Sequence, residues 1–287
     1  MSSESKVTFF SKNKIACPVC ESTFFREDLL TGRGRLIAGN LTDELRRLYE
    51  PSDKFGDVFP LIYPIMVCPA CYYAAFSQDF LSLDEETKTK IDQDADRRLH
   101  TVSLLFDELD FREPRTLREG IASYYFAMMC YDLFHTDHSP TIKQGLCALR
   151  AAWLSNDFAV QEPEENYEEL AVLFYRKACF FYNLAIEYEQ NGKESISAVA
   201  HLGPDLDKNY GYDGVLYLTA YLELNYGTQT DPTKRLGSLK VAKRTVAKIF
   251  GIGKATKNKP TAILDLSRDL YDKLGAEIAE GGGDGES

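Results

Sequence analysis

Two short cysteine motifs constrain the fold of this 287-residue chain more than any other feature. They read Cys17-Pro-Val-Cys20 and Cys68-Pro-Ala-Cys71, and the 47 residues from Glu21 to Val67 separate them. A Cys-x-x-Cys turn places two sulfurs on one side of a tight knuckle, and structural zinc takes four ligands in a tetrahedron. The two motifs therefore predict one structural zinc ion per chain, bound by Cys17, Cys20, Cys68 and Cys71.

Two other interpretations of these cysteines stay open at this point. A thioredoxin-like redox pair would need a βαβ pattern, and none flanks either motif. The other interpretation is that the motif cysteines are simply buried as small hydrophobic side chains. We expect such burial for the remaining three cysteines, Cys130, Cys147 and Cys179, which lie on apolar helical stretches. The 47-residue insert exceeds the usual spacing of about 15–20 residues, but extra loop length costs little closure entropy.

The residues before Ser82 and those after it predict different structures. Residues 1–81 hold short apolar patches broken by Gly and Pro, which favours a small α+β module that needs a metal to hold its shape. Within it, residues 42–49 are predicted to form a short helix with Thr42 as N-cap. Residues 82–280 show helical periodicity, clearest over 166–190, and residues 281–287 form a Gly-rich tail that we expect to be disordered.

The helical part carries a weak internal repeat. Large residues with smaller ones between them recur at one spacing in three helices: Tyr124/Ala127/Met128/Tyr131, Tyr175/Ala178/Cys179/Tyr182 and Tyr217/Ala220/Tyr221/Leu224. The first helix of a tetratricopeptide (TPR) hairpin packs in this way, although a regular TPR repeats at about 34 residues and these intervals are longer. We predict a mainly α fold, in which a TPR-like array of α-helical hairpins follows a small N-terminal zinc-binding α+β module.

A basic segment stands out in a chain whose formal net charge is −11. No Asp or Glu lies between Pro232 and Pro260. The predicted helix over 232–250 offers six cations as candidates for binding an acidic partner: Lys234, Arg235, Lys240, Lys243, Arg244 and Lys248. A solvated helix face is the simpler interpretation, because the chain is acidic overall and the segment lacks interleaved aromatic residues that would stack on bases.

The N-terminal segment and the hydropathy of the chain bear on its location. Residues 1–14 are polar and lack the apolar stretch of a signal peptide. No run approaches the roughly 20 apolar residues of a membrane span. We therefore expect a cytoplasmic protein with no membrane partner.

The segment from Pro60 to Phe80 contains the second motif within the sequence Val-Cys-Pro-Ala-Cys-Tyr-Tyr-Ala-Ala over residues 67–75. This segment resembles a family of uncharacterised bacterial proteins known as DUF2225. Family members have a Cys-Pro-x-Cys start, an insert, a second knuckle of the form Val-Cys-Pro-x-Cys-Gly-Tyr-Ala-Ala, and then Asp-Phe. The stretches 148–154 and 217–222 are similar to the family's helical motifs.

The resemblance implies zinc knuckles followed by TPR-like helices over nearly the whole chain, but it implies no activity. Tyr72 stands where the family's knuckle usually has Gly, and Glu21 likewise follows the first cysteine pair. We therefore expect strain in both turns.

No motif of a known catalytic class accompanies the cysteines: a P-loop, a Gly-x-Gly-x-x-Gly fingerprint and a Ser-His-Asp order are all absent. Four thiolate ligands would also leave a zinc ion no open position for catalysis. We predict a non-enzymatic scaffold whose helical array holds a protein or peptide on its concave face. The alternatives are a regulatory nucleic-acid-binding protein that uses the zinc module and the basic helix, and an enzyme of unknown class.

Overall fold

The computed structural model describes residues 6–250 and 260–283. Within these residues six short strands precede eight α-helices. The strands are β1 (Thr8–Ala16), β2 (Thr23–Leu29), β3 (Ile37–Leu41), β4 (Arg47–Glu50), β5 (Ile65–Val67) and β6 (Ala74–Phe76). The helices are α1 (Glu85–Gln93), α2 (Ala95–Ser103), α3 (Leu117–Tyr131), α4 (Pro140–Gln161), α5 (Tyr167–Gln190), α6 (Gly211–Tyr226), α7 (Pro232–Ala247) and α8 (Thr261–Gly283). The mainly α fold with a small N-terminal β region is confirmed.

The strands pair as three separate antiparallel hairpins, β1–β2, β3–β4 and β5–β6. A two-stranded ribbon is marginally stable by itself in water and needs packing against something else. Here Phe24 of β2 packs edge-on against Phe80 at 5.8 Å, and Tyr73 stacks on the same ring at 4.6 Å. Aromatic contacts thus join the first and third hairpins.

The predicted helix over Thr42–Tyr49 is wrong, because this segment forms the turn and second strand of the β3–β4 hairpin. The Thr42 hydroxyl accepts the N–H groups of Glu44 and Arg46, both at 3.2 Å. A side chain that satisfies nearby backbone donors offers an alternative to helical hydrogen bonds. Leu45 then takes a φ of 59°, which a helix interior does not allow.

Local sequence signals mark the starts of three helices. Thr116 caps α3 with a capping box that includes Glu119, α4 begins at Pro140, and α5 begins directly after Asn166. The last helix, α8, extends to Gly283, so the first three residues of the predicted tail are helical. Residues 284–287 of that tail lie outside the described part of the chain.

A single hydrophobic core runs across the predicted boundary at residues 81 and 82. Tyr124 of α3 donates its hydroxyl to the Leu61 carbonyl at 2.7 Å, and Tyr131 donates to Asp79 at 2.6 Å. The boundary between two domains and the TPR-like character of the helices both stay predictions. None of the described helices has both the length and the apolar character that crossing a membrane requires.

The turn of the β3–β4 hairpin lies against α4, α5 and α6. The Glu44 carboxylate accepts hydrogen bonds from Trp153 Nε1 of α4 and from the Tyr175 hydroxyl of α5, the latter at 2.8 Å. Tyr217 of α6 donates to the Asp43 carbonyl at 2.7 Å. The chain thus places its own acidic turn on a surface shared by three helices.

Candidate metal centre

The four sulfurs of the two cysteine motifs all lie within 4.8 Å of one another. Cys17 Sγ is 3.7 Å from Cys71 Sγ, and Cys20 Sγ is 3.6 Å from Cys68 Sγ. A tetrahedral site with metal–sulfur bonds of about 2.3 Å separates its sulfurs by about 3.8 Å, whereas a disulfide bond is only about 2.05 Å long. The cysteines are free, and the cluster could hold a metal ion.

The two knuckles have the same backbone hydrogen bonds, which explains why both sequences form the same turn. In each, the first cysteine donates its N–H to the carbonyl five residues later, at 2.9 Å for both Cys17 and Cys68. Its carbonyl accepts the N–H of the residue four later, at 3.0 Å and 2.9 Å respectively. One knuckle joins β1 to β2 and the other joins β5 to β6, so two hairpins present two sulfurs each.

The residue after each cysteine pair adopts a left-handed backbone conformation. This conformation favours Gly, so Glu21 and Tyr72 produce the strain that we expect in both turns. The φ angle is 61° at Glu21 and 55° at Tyr72. A non-Gly residue in this region costs roughly 1–2 kcal/mol. Tyr72 stacks on Phe126 at 5.1 Å and meets Phe111 edge-on at 6.1 Å, contacts that offset the cost. Glu21 is exposed.

Two polar residues around the sulfurs were not identified from the sequence. Ser22 Oγ lies 3.0 Å from Cys20 Sγ and 3.3 Å from Cys68 Sγ, where its hydroxyl can donate to a thiolate. Arg98 of α2 is fully buried and donates from Nη2 to the Cys71 carbonyl at 3.2 Å. Four thiolates around a divalent cation carry two net negative charges, which a nearby guanidinium partly offsets. Only tertiary packing brings Arg98 here, and no local sequence pattern indicates it.

The close packing of the sulfurs couples their protonation. Hydrogen bonding to Cys68 raises the pKa of the Cys17 thiol to about 12. Hydrogen bonds to Cys17 and Cys68, together with burial, raise the pKa of Cys71 as well. The hydrogen bonds that Cys68 accepts from these two thiols lower its own pKa. A bound cation replaces the thiol protons, so acid competes with metal at such a site.

The predicted basic site on α7 divides into two groups. Lys234, Lys240, Arg244 and Lys248 are exposed. The other two cations make internal contacts: Arg235 donates to the carbonyls of Glu223 and Leu224, both at 2.7 Å, and Lys243 Nζ lies 4.4 Å from the Tyr271 ring centroid. Binding of an acidic partner by this helix stays a prediction.

The other three cysteines are buried in the helical region, as expected for small apolar side chains. Burial raises the pKa of Cys130 to about 11. Burial also raises the pKa values of Cys147 and Cys179, so neither thiol has the ionised character of a reactive cysteine.

Comparison with known proteins gives two matches. The sequence profile of a family described as "Uncharacterized protein conserved in bacteria (DUF2225)" matches residues 10–274. A protein of Borreliella burgdorferi described as "Uncharacterized protein" is 43% identical over 274 residues, which is 95% of this chain and 98% of that protein. No solved structure matches the chain.

Proposed function

We propose that this chain, which belongs to the DUF2225 family of bacterial proteins, uses Cys17, Cys20, Cys68 and Cys71 to hold one structural zinc ion. The observation that carries the proposal is the approach of all four sulfurs to within 4.8 Å of one another. An all-thiolate tetrahedral set favours zinc over magnesium or calcium, which prefer oxygen ligands. Four protein ligands leave no position for a reactive water, so the ion stabilises the fold and does not catalyse a reaction.

The proposed role of the ion is to hold the β1–β2 and β5–β6 hairpins together. Each is a two-stranded ribbon with little stability of its own. The free energy of binding a structural zinc ion contributes directly to folding. The second knuckle also contacts α2 through the bond from Arg98 to the Cys71 carbonyl. A metal at this point therefore links the N-terminal hairpins to the helical region.

Single substitutions test the ligand assignment. Cys20→Ser and Cys71→Ser each remove one sulfur, and we expect less than half of the zinc per chain that the wild-type protein retains after dialysis. Cys179→Ala is the control, because Cys179 is another free cysteine but lies on α5, outside the cluster. Elemental analysis of the purified proteins gives the measurement. Full zinc content in both ligand variants would contradict the proposal.

We also propose that the helical region is a non-enzymatic scaffold for protein–protein interaction. The support comes from α5, on which Leu173 is 54% and Phe180 is 61% exposed to solvent. These residues are seven positions apart, which places them on one face of the helix two turns apart. The exposed cations Arg176 and Lys177 lie between them on this face. Large apolar side chains that stay exposed beside polar ones are a feature of protein-binding surfaces. The surface shared by α4, α5 and α6 already holds the chain's own Asp43–Glu44 turn.

A nucleic-acid-binding function is the second candidate, and one observation favours it. Lys240, Arg244 and Lys248 are all exposed and follow one another at intervals of four residues, so they form one ridge of positive charge. Binding through such a ridge would weaken steeply with salt.

One capture experiment with nuclease treatment separates these two candidates. The full-length chain is used as bait in native bacterial lysate, beside the variants Phe180→Ser and Val160→Ser. Val160 is 84% exposed on α4 and serves as the control. A partner protein that survives nuclease and disappears only with Phe180→Ser supports the scaffold. Signal that is lost with nuclease favours the nucleic-acid alternative and contradicts the scaffold.

A further inference from the structure

A cavity of about 370 Å³ lies between the N-terminal hairpins and the helical region. Its walls come from the β2 strand, the segments around residues 60–64 and 76–78, helix α4, and the loop that precedes α6. Small-molecule sites typically occupy about 300–1,000 Å³ and are mostly apolar with a few convergent polar groups. The four clustered cysteines are not among its lining residues.

Two buried cations of α4 line this cavity. Lys143 is 5% exposed and Arg150 is 4% exposed, and they are seven positions apart on the same helix face. Lys143 is neutralised, because its Nζ lies 2.7 Å from Asp79 Oδ2. The Tyr131 hydroxyl donates to the same carboxylate at 2.6 Å, so this pair is fully engaged within the fold.

Arg150 has no carboxylate in direct contact of this kind, although its charge interacts at longer range with Asp205. Its Nε donates to the Pro204 carbonyl at 2.8 Å and its Nη2 to the Gly203 carbonyl at 3.1 Å, and neither acceptor carries a charge. No ion pair joins Arg150 to a carboxylate within the described part of the chain. Asp205, in the same loop, accepts the backbone N–H of Arg47 at 2.8 Å. A buried guanidinium whose direct acceptors are all uncharged is costly, and an anion bound in direct contact would reduce that cost.

The charges around the cavity limit the ligand to one negative charge. Arg26, the third cation of the lining, is paired with Asp28 at 2.8 Å. Burial lowers the pKa of His201 below its ordinary value of 6.5, which favours the neutral imidazole at pH 7. With Lys143 paired to Asp79, Arg150 is the cation of the lining that has no carboxylate in direct contact. The remaining wall is largely apolar and includes Leu29, Tyr63, Phe76, Leu146, Val199 and Leu206.

We infer that this cavity binds a small organic molecule with a single carboxylate and an apolar body. The carboxylate lies against Arg150, and the body packs against the apolar walls. This site is independent of the metal centre and of the partner surface on α5. A single guanidinium without a carboxylate in direct contact favours a monoanion over a phosphate ester, which carries close to two charges at pH 7.

Ligands with one body and three head groups test this inference. Hexanoate, hexanamide and monohexyl phosphate are added to the full-length metal-loaded protein, and binding is followed by saturation-transfer NMR. A charged hydrogen bond to Arg150 predicts that hexanoate binds at least about tenfold more tightly than hexanamide. Hexanoate should also bind more tightly than monohexyl phosphate. Equal binding of hexanoate and hexanamide, or preference for the phosphate, would overturn the proposal.

Variants locate the binding in the cavity. Leu206 is 43% exposed at the rim, so Leu206→Trp fills the cavity without disturbing the core, and Leu104→Trp at a 72% exposed position outside the lining is the control. Arg150→Gln removes the charge but keeps a donor for the carbonyls. We expect hexanoate affinity to fall at least tenfold in Leu206→Trp and Arg150→Gln and to stay unchanged in Leu104→Trp. Unchanged affinity in Leu206→Trp overturns the proposal even if Arg150→Gln fails to fold.

Discussion

At the scale of single residues, the left-handed backbone conformation of Glu21 destabilises the first knuckle. The Glu21 side chain is exposed, so it makes no packing contacts like those of Tyr72 that would offset this steric cost. Glu21→Gly removes that steric cost but adds freedom to the unfolded chain. We expect a net gain of about 0.5–1 kcal/mol in the free energy of unfolding of the metal-loaded protein, measured with urea. Glu50→Gly, at an exposed strand position of β4, is the control and should destabilise by a similar amount. A loss of stability in Glu21→Gly would show that its side chain has a role in the turn.

Glu44 predicts a dependence of stability on pH. Burial raises the pKa of this carboxyl above its ordinary value of 4.5, although Tyr175 and Trp153 donate hydrogen bonds to it. A carboxyl whose pKa is higher in the folded than in the unfolded state stabilises the fold in its protonated form. This stabilisation is complete below the pKa of the unfolded state and is lost as pH rises through the pKa of the folded state. Glu44→Gln does not titrate. The stability of wild type relative to this variant should therefore fall as the pH rises from 4.5 through the raised folded-state pKa.

Urea unfolding of both proteins across this pH range gives the comparison for Glu44, since all other titrating groups cancel in the difference. A difference in unfolding free energy that is constant, or that grows with pH, would show that the charged carboxylate is the form that the fold favours.

The sequence predicts residues of the site only where their spacing or type carries the information. The four cysteines and the strained positions at Glu21 and Tyr72 follow from the repeated knuckle pattern. Arg98 does not, because its contact with the Cys71 carbonyl depends on how α2 packs 27 residues later in the chain. Ser22 could be suspected from its place two residues after Cys20, but only its Oγ position near two sulfurs gives it a role.

At the scale of elements, Arg98 connects helix α2 to the second knuckle. It donates to the Ile91 carbonyl at 2.6 Å and to the Cys71 carbonyl at 3.2 Å. Arg98→Met keeps the apolar stem but leaves both carbonyls without this donor, and we expect a loss of about 2–3 kcal/mol in unfolding free energy. The neighbouring Arg97 has a 57% exposed side chain, and Arg97→Met should change the stability by less than about 0.5 kcal/mol. Equal effects of the two substitutions would rule out a specific role for Arg98.

Helix starts carry stronger local sequence signals than the strands of the N-terminal region. Thr116, Pro140 and Asn166 are local signals, because a cap or a fixed φ acts within one turn of the helix. The Thr42–Tyr49 prediction was wrong since Thr42 resembles a cap, whereas its hydroxyl stabilises a tight hairpin turn. The final position of that turn depends on Trp153 and residues still further along the chain, and local patterns cannot contain this information.

At the scale of the whole molecule, metal removal should affect the parts of the chain unequally. The proposed ion binds between the hairpins around residues 8–29 and 65–76, whereas α5 packs in the helical core. After chelation at neutral pH, we expect faster hydrogen–deuterium exchange in both hairpins and little change over residues 167–190. Re-addition of zinc should restore protection of the hairpins. Uniform loss of protection would show instead that the core is one cooperative unit that depends entirely on the metal.

The central claim concerns the four cysteines, and X-ray absorption at the zinc K-edge of the purified full-length protein tests it most directly. We predict one zinc per chain with four sulfur ligands at about 2.3 Å and no nitrogen or oxygen in the first coordination sphere. A folded protein that carries no zinc, or a spectrum with fewer than four sulfur ligands, would contradict the assignment of Cys17, Cys20, Cys68 and Cys71.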